Sequence, residues 1–533
     1  MKKEKCAQGA KSKRQREDTE NSVKTNPNFD IVAGITAEVE NAGKNSRPDN
    51  KPSQKRCAEL LELLLNDVQR VDFDSIINPT NNAEKKITNG ERYVVVIEKL
   101  LELATERNWG VCKNSAFTYL YNGKFWQLLD HEILKHFLGR AAYLMGLPEY
   151  QSKQVDVAEK IVKQFDYTGF QPQPESDKVL INLRNGTLEI DGNGHHSLRE
   201  FERADFLKYQ LPFEYNPQAT APMFQKFLNE VLPDQSAQNI LGEYCGYVFV
   251  KNLKLEKALI LYGTGANGKS VFFDIITALF GNENVSSYNI SNLCEESGYF
   301  RAMIQDKLLN YSSEIGNSRQ FNADTFKQLC SGEKMQARLP YEKPFTISNY
   351  ARMVFNANTL PKDTEQTNAF FRRFLIIPFD VTLPPEKQDK ELAQKIIKTE
   401  LAGVLNWVLE GLKRIISNKD FSECESSKKA LERYQVETNS VLAFIEDNEL
   451  IKSVKNYELL QELYGGIDGY VSYCDESGLR ACSKREFSKR LKAASFEVVK
   501  DVHRANGGYI VYIEADGQEV VVIGEKSKNS FPL

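Results

Sequence analysis

The sequence predicts an α/β fold built around a phosphate-binding core, on three observations. A short apolar strand, Leu259 to Tyr262, runs into a glycine-rich turn and then into a helix. From 257 to about 380, apolar strands alternate with helices, the pattern of an α/β nucleotide-binding sheet. A mixed α+β region precedes this core and a small basic domain follows it. At 533 residues the chain is too long for one hydrophobic core, and three or so domains is the natural division.

The turn reads Gly263-Thr264-Gly265-Ala266-Asn267-Gly268-Lys269-Ser270, with the spacing G-x-x-x-x-G-K-S. Glycines let the backbone curl with its N–H groups pointing inward, which makes an anion-binding concavity. The helix that follows adds unpaired N–H groups and the positive end of its dipole. All eight residues are therefore expected to cradle the phosphates of a nucleotide. Lys269 would reach the terminal phosphates and Ser270 would take one position on Mg2+.

Composition bounds the partners. The net charge is −4, so a nucleic-acid partner needs local basic surfaces rather than a basic protein. No run of eighteen apolar residues offers a membrane span, and no apolar stretch follows the charged N-terminus as in a secretory signal. The nine cysteines are scattered and never spaced C-x-x-C, which argues for reduced thiols in a cytoplasmic compartment, that of a bacterial host or its equivalent. The five histidines form no metal spacing either, and His195-His196 reads as an exposed turn.

Residues 1–53 are polar and nearly free of aromatics, the signature of a disordered arm; its basic cluster, Lys11 to Arg16, is diluted by Glu17 and Asp18. Residues 54–221 read as the mixed α+β domain. Helical patterns cover Leu60–Val71 and Tyr93–Arg107. A hairpin through Phe117, Tyr119 and Tyr121 turns at Asn122-Gly123 into Phe125-Trp126. Helices near 131–145 and 154–165 come next, then a second hairpin, Val179–Leu183 to Leu188–Ile190, turning at Asn185-Gly186. Helical patterns over 222–256 lead into the loop-bearing strand, and a helix near 387–417 follows the core.

A phosphate-binding loop needs a second site that holds magnesium and orients the attacking water, usually an acid ending a neighbouring strand. Glu314, after Lys307–Ser313, is the candidate. A third strand, Arg352–Asn358, ends in Asn358, placed to bond the γ-phosphate or the lytic water; the alternative is a turn asparagine before Thr359-Leu360-Pro361. A fourth strand is preceded by Arg372 and Arg373. An arginine there can cross a subunit interface to a neighbour's γ-phosphate, whereas salt bridging at a strand edge explains one arginine more easily than a pair.

Taken in order, the glycine-rich loop, the strand to Glu314, Lys327–Glu333 with Arg338, the strand to Asn358 and Arg372-Arg373-Phe374 resemble superfamily 3 helicases. The likeness is closest to the phage and plasmid primase-helicase branch, which includes the poxvirus primase-helicase; Ile181–Leu188 is similar to that branch's segment upstream of the ATPase. The resemblance implies an AAA+-type P-loop core over 222–430, assembled as a homo-hexameric ring around single-stranded or forked DNA. ATP would sit between subunits, with Arg372 or Arg373 acting in trans. It also implies a basic hairpin in the ring channel, where Lys327, Lys334, Arg338 and Lys343 flank Tyr341 and Phe345, with Arg338 equally suited to the ATP site. Where many members carry two adjacent acids, here Ser313 precedes Glu314.

The domain at 440–515 resembles the winged helix that closes many such helicases. A helix through Tyr470–Cys474 leads to a second over Ser483–Lys492, with Ser483 and Glu486 spaced as a capping box. Phe487 and Leu491 would face the core, leaving Lys484, Arg485, Lys489 and Arg490 for a DNA groove or, alternatively, for solvent beside a protein partner. A strand, a Gly507-Gly508 turn and Tyr509–Tyr512 would form the wing, ahead of a 516–533 tail. The expected function is that of an ATP-dependent replicative DNA helicase of a phage, plasmid or other mobile element. The short arm leaves no room for a primase domain, so any primase or polymerase is expected as a separate partner. The alternative is a nucleotide-gated DNA-binding or loading assembly that does not unwind.

Overall fold

Apolar residues that alternate between two buried faces organise the centre of the computed structural model, which describes residues 51–79, 86–315, 321–340, 342–361, 367–479, 481–501 and 508–515. The basic cluster Lys11–Arg16, Tyr341, Gly507 and the 516–533 tail lie outside the described residues, as does the arm up to residue 50. The strands are β1 (Gly110–Asn114), β2 (Phe117–Tyr121), β3 (Trp126–Leu129), β4 (Val179–Leu183), β5 (Gly186–Ile190), β6 (His196–Arg199), β7 (Ala258–Tyr262) and β8 (Val285–Ser286). They continue as β9 (Leu309–Ser312), β10 (Met335–Ala337), β11 (Phe345–Ile347), β12 (Arg352–Ala357), β13 (Phe374–Pro378), β14 (Leu450–Leu459), β15 (Val498–Lys500) and β16 (Tyr509–Ala515).

Five of these strands form a parallel sheet in the order β13-β7-β12-β9-β8. Leu259 and Leu261 of β7 enter one core together with Val354, Leu375 and Ile377. Ala258 and Ile260 enter the opposite core with Met353, Phe355, Phe374 and Ile376. Both faces are covered, which is why these strands read as unbroken apolar runs. From β7 the chain crosses to the far edge at β8, works back through β9 to β12, and passes to the other side of β7 at β13. This places a topological switch point at the carboxyl end of β7, where open α/β sheets bind ligands.

The mixed α+β region carries two antiparallel sheets, β1-β2-β3 and β4-β5-β6. Both expected hairpins are present, and each turn glycine takes the positive φ its turn demands, +89° at Gly123 and +150° at Gly186. The Asn89–Glu106 helix opens on a reciprocal capping box between Thr88 and Glu91. The first helix spans Lys51–Asn66 rather than reaching Val71. Tyr119, Tyr121 and Trp126 are buried together with Phe206. The apolar core runs without a break from Ile181 and Leu188 through β7 to Ile415.

The helix expected near 387–417 is two, Leu392–Thr399 and Leu401–Asn418. Glu400 breaks it because its carboxylate serves another element. Its oxygens accept from the N–H groups of Met223 (3.0 Å) and Phe224 (2.9 Å), at the start of the Pro222–Val231 helix. The helical pattern over 222–256 likewise resolves into Pro222–Val231 and Gln235–Tyr247, ending before β7.

The C-terminal region has its own core, from Val441 to Ile513, under an antiparallel sheet ordered β14-β16-β15. The long β14 is legible only here; its exposed Val454 and Tyr457 hide it from an apolar-pattern search. Among the described residues no helix is long and apolar enough to cross a membrane. Eight cysteines among them are unpaired, and seven of these are buried.

Candidate functional site

The loop between β7 and the Lys269–Phe280 helix is fixed by its glycines and by contacts to neighbouring main chain. Gly265, Ala266 and Gly268 have φ of +121°, +50° and +86°. A Cβ on Gly263 would lie 2.5 Å from the Phe379 carbonyl, and one on Gly268 would lie 2.7 Å from the Val231 side chain. Asn267 is buried and donates to the Phe379 carbonyl (2.9 Å), and Leu383 N–H donates to Ala266 (2.9 Å), so the segment after β13 clamps the loop from outside. Nothing in the sequence marked Phe379 or Leu383 for this task, because they act through backbone groups.

Lys269 is 6% exposed and donates to the carbonyl of Gly263 (2.6 Å) and to Asn267 Oδ1 (3.0 Å). Burial pushes its ammonium below the usual lysine range. The helix that starts here has Gly268 at its N-cap and no side-chain capping bond, so its first N–H groups remain available to an anion. Thr264, Ala266 and Ser270 are exposed at the lip of the loop.

Register brings the other candidates to the same edge. Ala357 pairs with Tyr262, and Gly263 N–H donates to the Ala357 carbonyl (3.0 Å), so the exposed Asn358 follows directly beside the loop. Ser312 pairs with Phe355, which sets Glu314 level with the end of β12. The strand itself stops at Ser312, and the Ser312 hydroxyl donates to the Glu314 carbonyl (2.7 Å), holding the exposed carboxylate past the sheet. Two strand spacings, roughly 10 Å, separate β9 from β7.

Arg372 and Arg373 sit elsewhere. They precede Phe374, which pairs with Ala258 at the amino end of β7. Four residues of strand, roughly 13 Å, separate them from the glycine-rich loop of their own chain. The two also differ from each other. Arg372 is 61% exposed and pairs with Glu256 at 2.8 Å. Arg373 is 9% exposed, shares Glu256 at 3.5 Å, and donates to the Ala369 carbonyl and the Ser331 hydroxyl (3.3 Å). Glu256 was missed by sequence reasoning; its signal, an acid two residues before an apolar strand, is too common to stand out.

The basic hairpin is β10-β11, antiparallel with Met335 opposite Ile347. Buried Arg301 anchors its base by donating to the carbonyls of Gln336 (3.0 Å) and Leu293 (3.0 Å). Lys334, Arg338 and Lys343 are exposed, and Arg338 donates to the Glu342 carbonyl (3.0 Å). Lys327 is half-buried and paired with Asp324 (2.7 Å), apart from that exposed set.

On the Lys484–Ala493 helix, Phe487 and Leu491 are fully buried, as expected. Ser483 caps the helix by accepting from Glu486 N–H (3.3 Å), but the capping box is only half formed, because the Glu486 carboxylate turns to Arg490 (3.3 Å). That pair draws Arg490 down to 19% exposure, and Lys484 is engaged by Gln461, while Arg485 and Lys489 face solvent. Among the described residues no group of three or more His, Cys, Asp or Glu side chains is placed to hold a metal ion.

Comparison with known proteins finds likeness in two separate stretches of the chain. The family described as "D5 N terminal like" matches residues 98–233, and a "Family of unknown function (DUF5906)" matches residues 261–373, from β7 to Arg373. "Putative helicase 121R" of Invertebrate iridescent virus 3 is 22% identical over 265 residues, covering 44% of this chain and 28% of the viral protein. "Putative primase C962R" of African swine fever virus (isolate Tick/Malawi/Lil 20-1/1983) is 23% identical over 195 residues, covering 34% and 20%. The chain thus spans less than a third of the length of these curated relatives. Among solved structures, the NrS-1 C-terminal region is similar at 13% identity with a TM-score of 0.43, covering 78% of this chain and 98% of that one.

Proposed function

The chain is of the phage and viral primase-helicase type, and from that premise we propose an ATP-driven DNA helicase that works as a ring on single-stranded or forked DNA. One observation carries the reading. Lys269, Asn358 and Glu314 share the carboxyl edge of the parallel sheet, while Arg372 stands exposed at the opposite edge of the same sheet. On this reading the fourth group, Arg372, comes from a neighbouring copy, because it lies at the sheet edge away from its own chain's loop.

The loop fits a nucleotide. Its glycines are obligatory, its helix is uncapped, and its buried lysine is held by two oxygens that a phosphate would replace. Gly263 to Ser270 would hold the triphosphate, with Ser270 and Glu314 serving Mg2+. The metal supplies charge neutralisation at the β- and γ-phosphates when bound. Lys269 donates to the terminal phosphate oxygens, Glu314 orients a water and accepts its proton, and Asn358 bonds that water or the phosphate. Arg372 of the adjacent subunit offsets charge that develops on the transferred group. Arg373 holds the strand that presents Arg372.

Lys334, Arg338 and Lys343 would follow the DNA phosphates without reading sequence, which suits translocation. The C-terminal domain reads as a winged helix, in which the solvent-facing Arg485 and Lys489 would meet DNA and Lys484 and Arg490 support them. Mixing subunits tests the arrangement. Rings that combine Lys269→Ala with Arg372→Ala subunits regain part of the ATPase lost in each alone if the arginine acts in trans; no recovery in verified mixed rings sinks that assignment.

A further inference from the structure

A second cleft, of about 240 Å³, opens where the mixed α+β region meets the hairpin. The end of β1 and the turn after it supply Asn114 and Ser115, β11 and its end supply Thr346 and Ser348, and Phe170 completes the lining. Phe170 belongs to the segment after the Val155–Thr168 helix, which runs beside β1 through bonds between Lys113 and Gly169 (2.8 Å) and Gln171 (2.9 Å). The ring of Phe170 is 60% exposed.

Asp306 fixes the inner end. It accepts from Lys208 Nζ (3.2 Å), Gln305 Nε2 (3.0 Å), Asn349 Nδ2 (3.3 Å) and the Tyr119 hydroxyl. The bond from Nε2 orients the Gln305 amide. Its Oε1 is left buried without a partner, on a side chain 8% exposed that lines the cleft. A buried acceptor of this kind calls for a donor from a ligand.

Size and charge narrow the ligand. The volume is below the roughly 300–1,000 Å³ of sites for drug-sized molecules, so one flat ring fits rather than an extended ligand. The lining holds one cation, Lys208, and Asp306 neutralises it. The group that enters is therefore uncharged, with an N–H or NH₂ at its edge and a face for Phe170. Exposed cations flank the strand pair that forms the wall: Lys343 is two residues before Phe345, whose ring meets Phe117 edge-on at 5.2 Å. A neutral ring with an edge donor, joined to a polyanion that follows basic residues, is a nucleobase in a single strand.

We propose that this cleft takes one unstacked base of single-stranded DNA, stacked on Phe170 with its edge donor on Gln305 Oε1, while the phosphates pass the hairpin cations. The proposal rests on the DNA-binding reading above. The test is fluorescence anisotropy on the full chain, with a mixed-sequence single-stranded 20-mer and the same backbone made abasic. Phe170→Ala is expected to weaken the 20-mer roughly 5- to 150-fold, the size of one aromatic–base stack, and to leave the abasic strand unchanged. Phe170→Trp should restore binding, and Gln305→Met should lower it without touching the abasic strand. The Lys334→Ala/Arg338→Ala/Lys343→Ala variant should weaken both strands. Equal binding of the 20-mer by wild type and Phe170→Ala overturns the base cleft and leaves DNA binding standing. No binding of either strand by the wild type overturns both.

Discussion

Arg372 and Glu256 form an ion pair of 2.8 Å at the amino edge of the parallel sheet, the edge away from the glycine-rich loop. The adjacent Arg373 shares the same carboxylate but is buried among the carbonyl of Ala369 and the hydroxyl of Ser331. Two neighbouring arginines thus divide into one that faces out and one that holds the backbone which presents it.

That division separates their mutants. Arg372→Ala should lower ATP turnover by roughly 10³-fold or more while leaving the melting temperature nearly unchanged, since an exposed ion pair contributes little. Arg373→Ala should destabilise by roughly 1.5–3 kcal/mol, because hydrogen bonds to a buried charge are lost. Urea unfolding and steady-state ATPase assays, run on the same preparations, check both.

Lys269→Ala should abolish ATP turnover and leave the circular dichroism spectrum intact. Retained turnover would remove the loop from the mechanism. Gly268→Ala should also lower nucleotide binding, since its Cβ would press on Val231 and its φ of +86° favours glycine.

Glu314→Gln should bind ATP with near-normal affinity yet hydrolyse it 10²- to 10⁴-fold more slowly, as expected for loss of a general base. Filter binding of labelled ATP and single-turnover hydrolysis distinguish the two steps. Normal hydrolysis would point to another acid.

How much of this was legible in the sequence follows from which groups do the holding. The parallel sheet and its apolar strands could be read because both faces are buried and every side chain in β7 reports it. The loop could be read because its backbone, with positive φ at Gly265 and Gly268, needs glycine at fixed spacing. The clamp at Phe379 and Leu383, by contrast, uses main-chain groups that any residue supplies. The break at Glu400 was hidden because glutamate is a good helix former, and only a helix 177 positions away gives its carboxylate another use. Glu486 was misread for the same kind of reason: the capping-box spacing was present, but Arg490 competes for the carboxylate.

Glu400→Ala should cost roughly 1–2 kcal/mol, since it uncaps the Pro222–Val231 helix, whose Phe224, Phe227 and Leu228 enter the main core. Glu400→Gln should recover part of that. Thermal unfolding followed by circular dichroism reads both.

The salt dependence of DNA binding gives the hairpin a number. For single strands each neutralised phosphate contributes about −0.7 to the slope of log K against log salt. Replacing Lys334, Arg338 and Lys343 by alanine should flatten that slope by about 2. An unchanged slope would assign the phosphate contacts to other residues.

Strand displacement tests the central claim most directly. On a forked duplex with ATP and Mg2+, the wild-type protein should release the displaced strand, and Lys269→Ala should not. DNA-stimulated ATP hydrolysis without release of the strand would contradict the helicase.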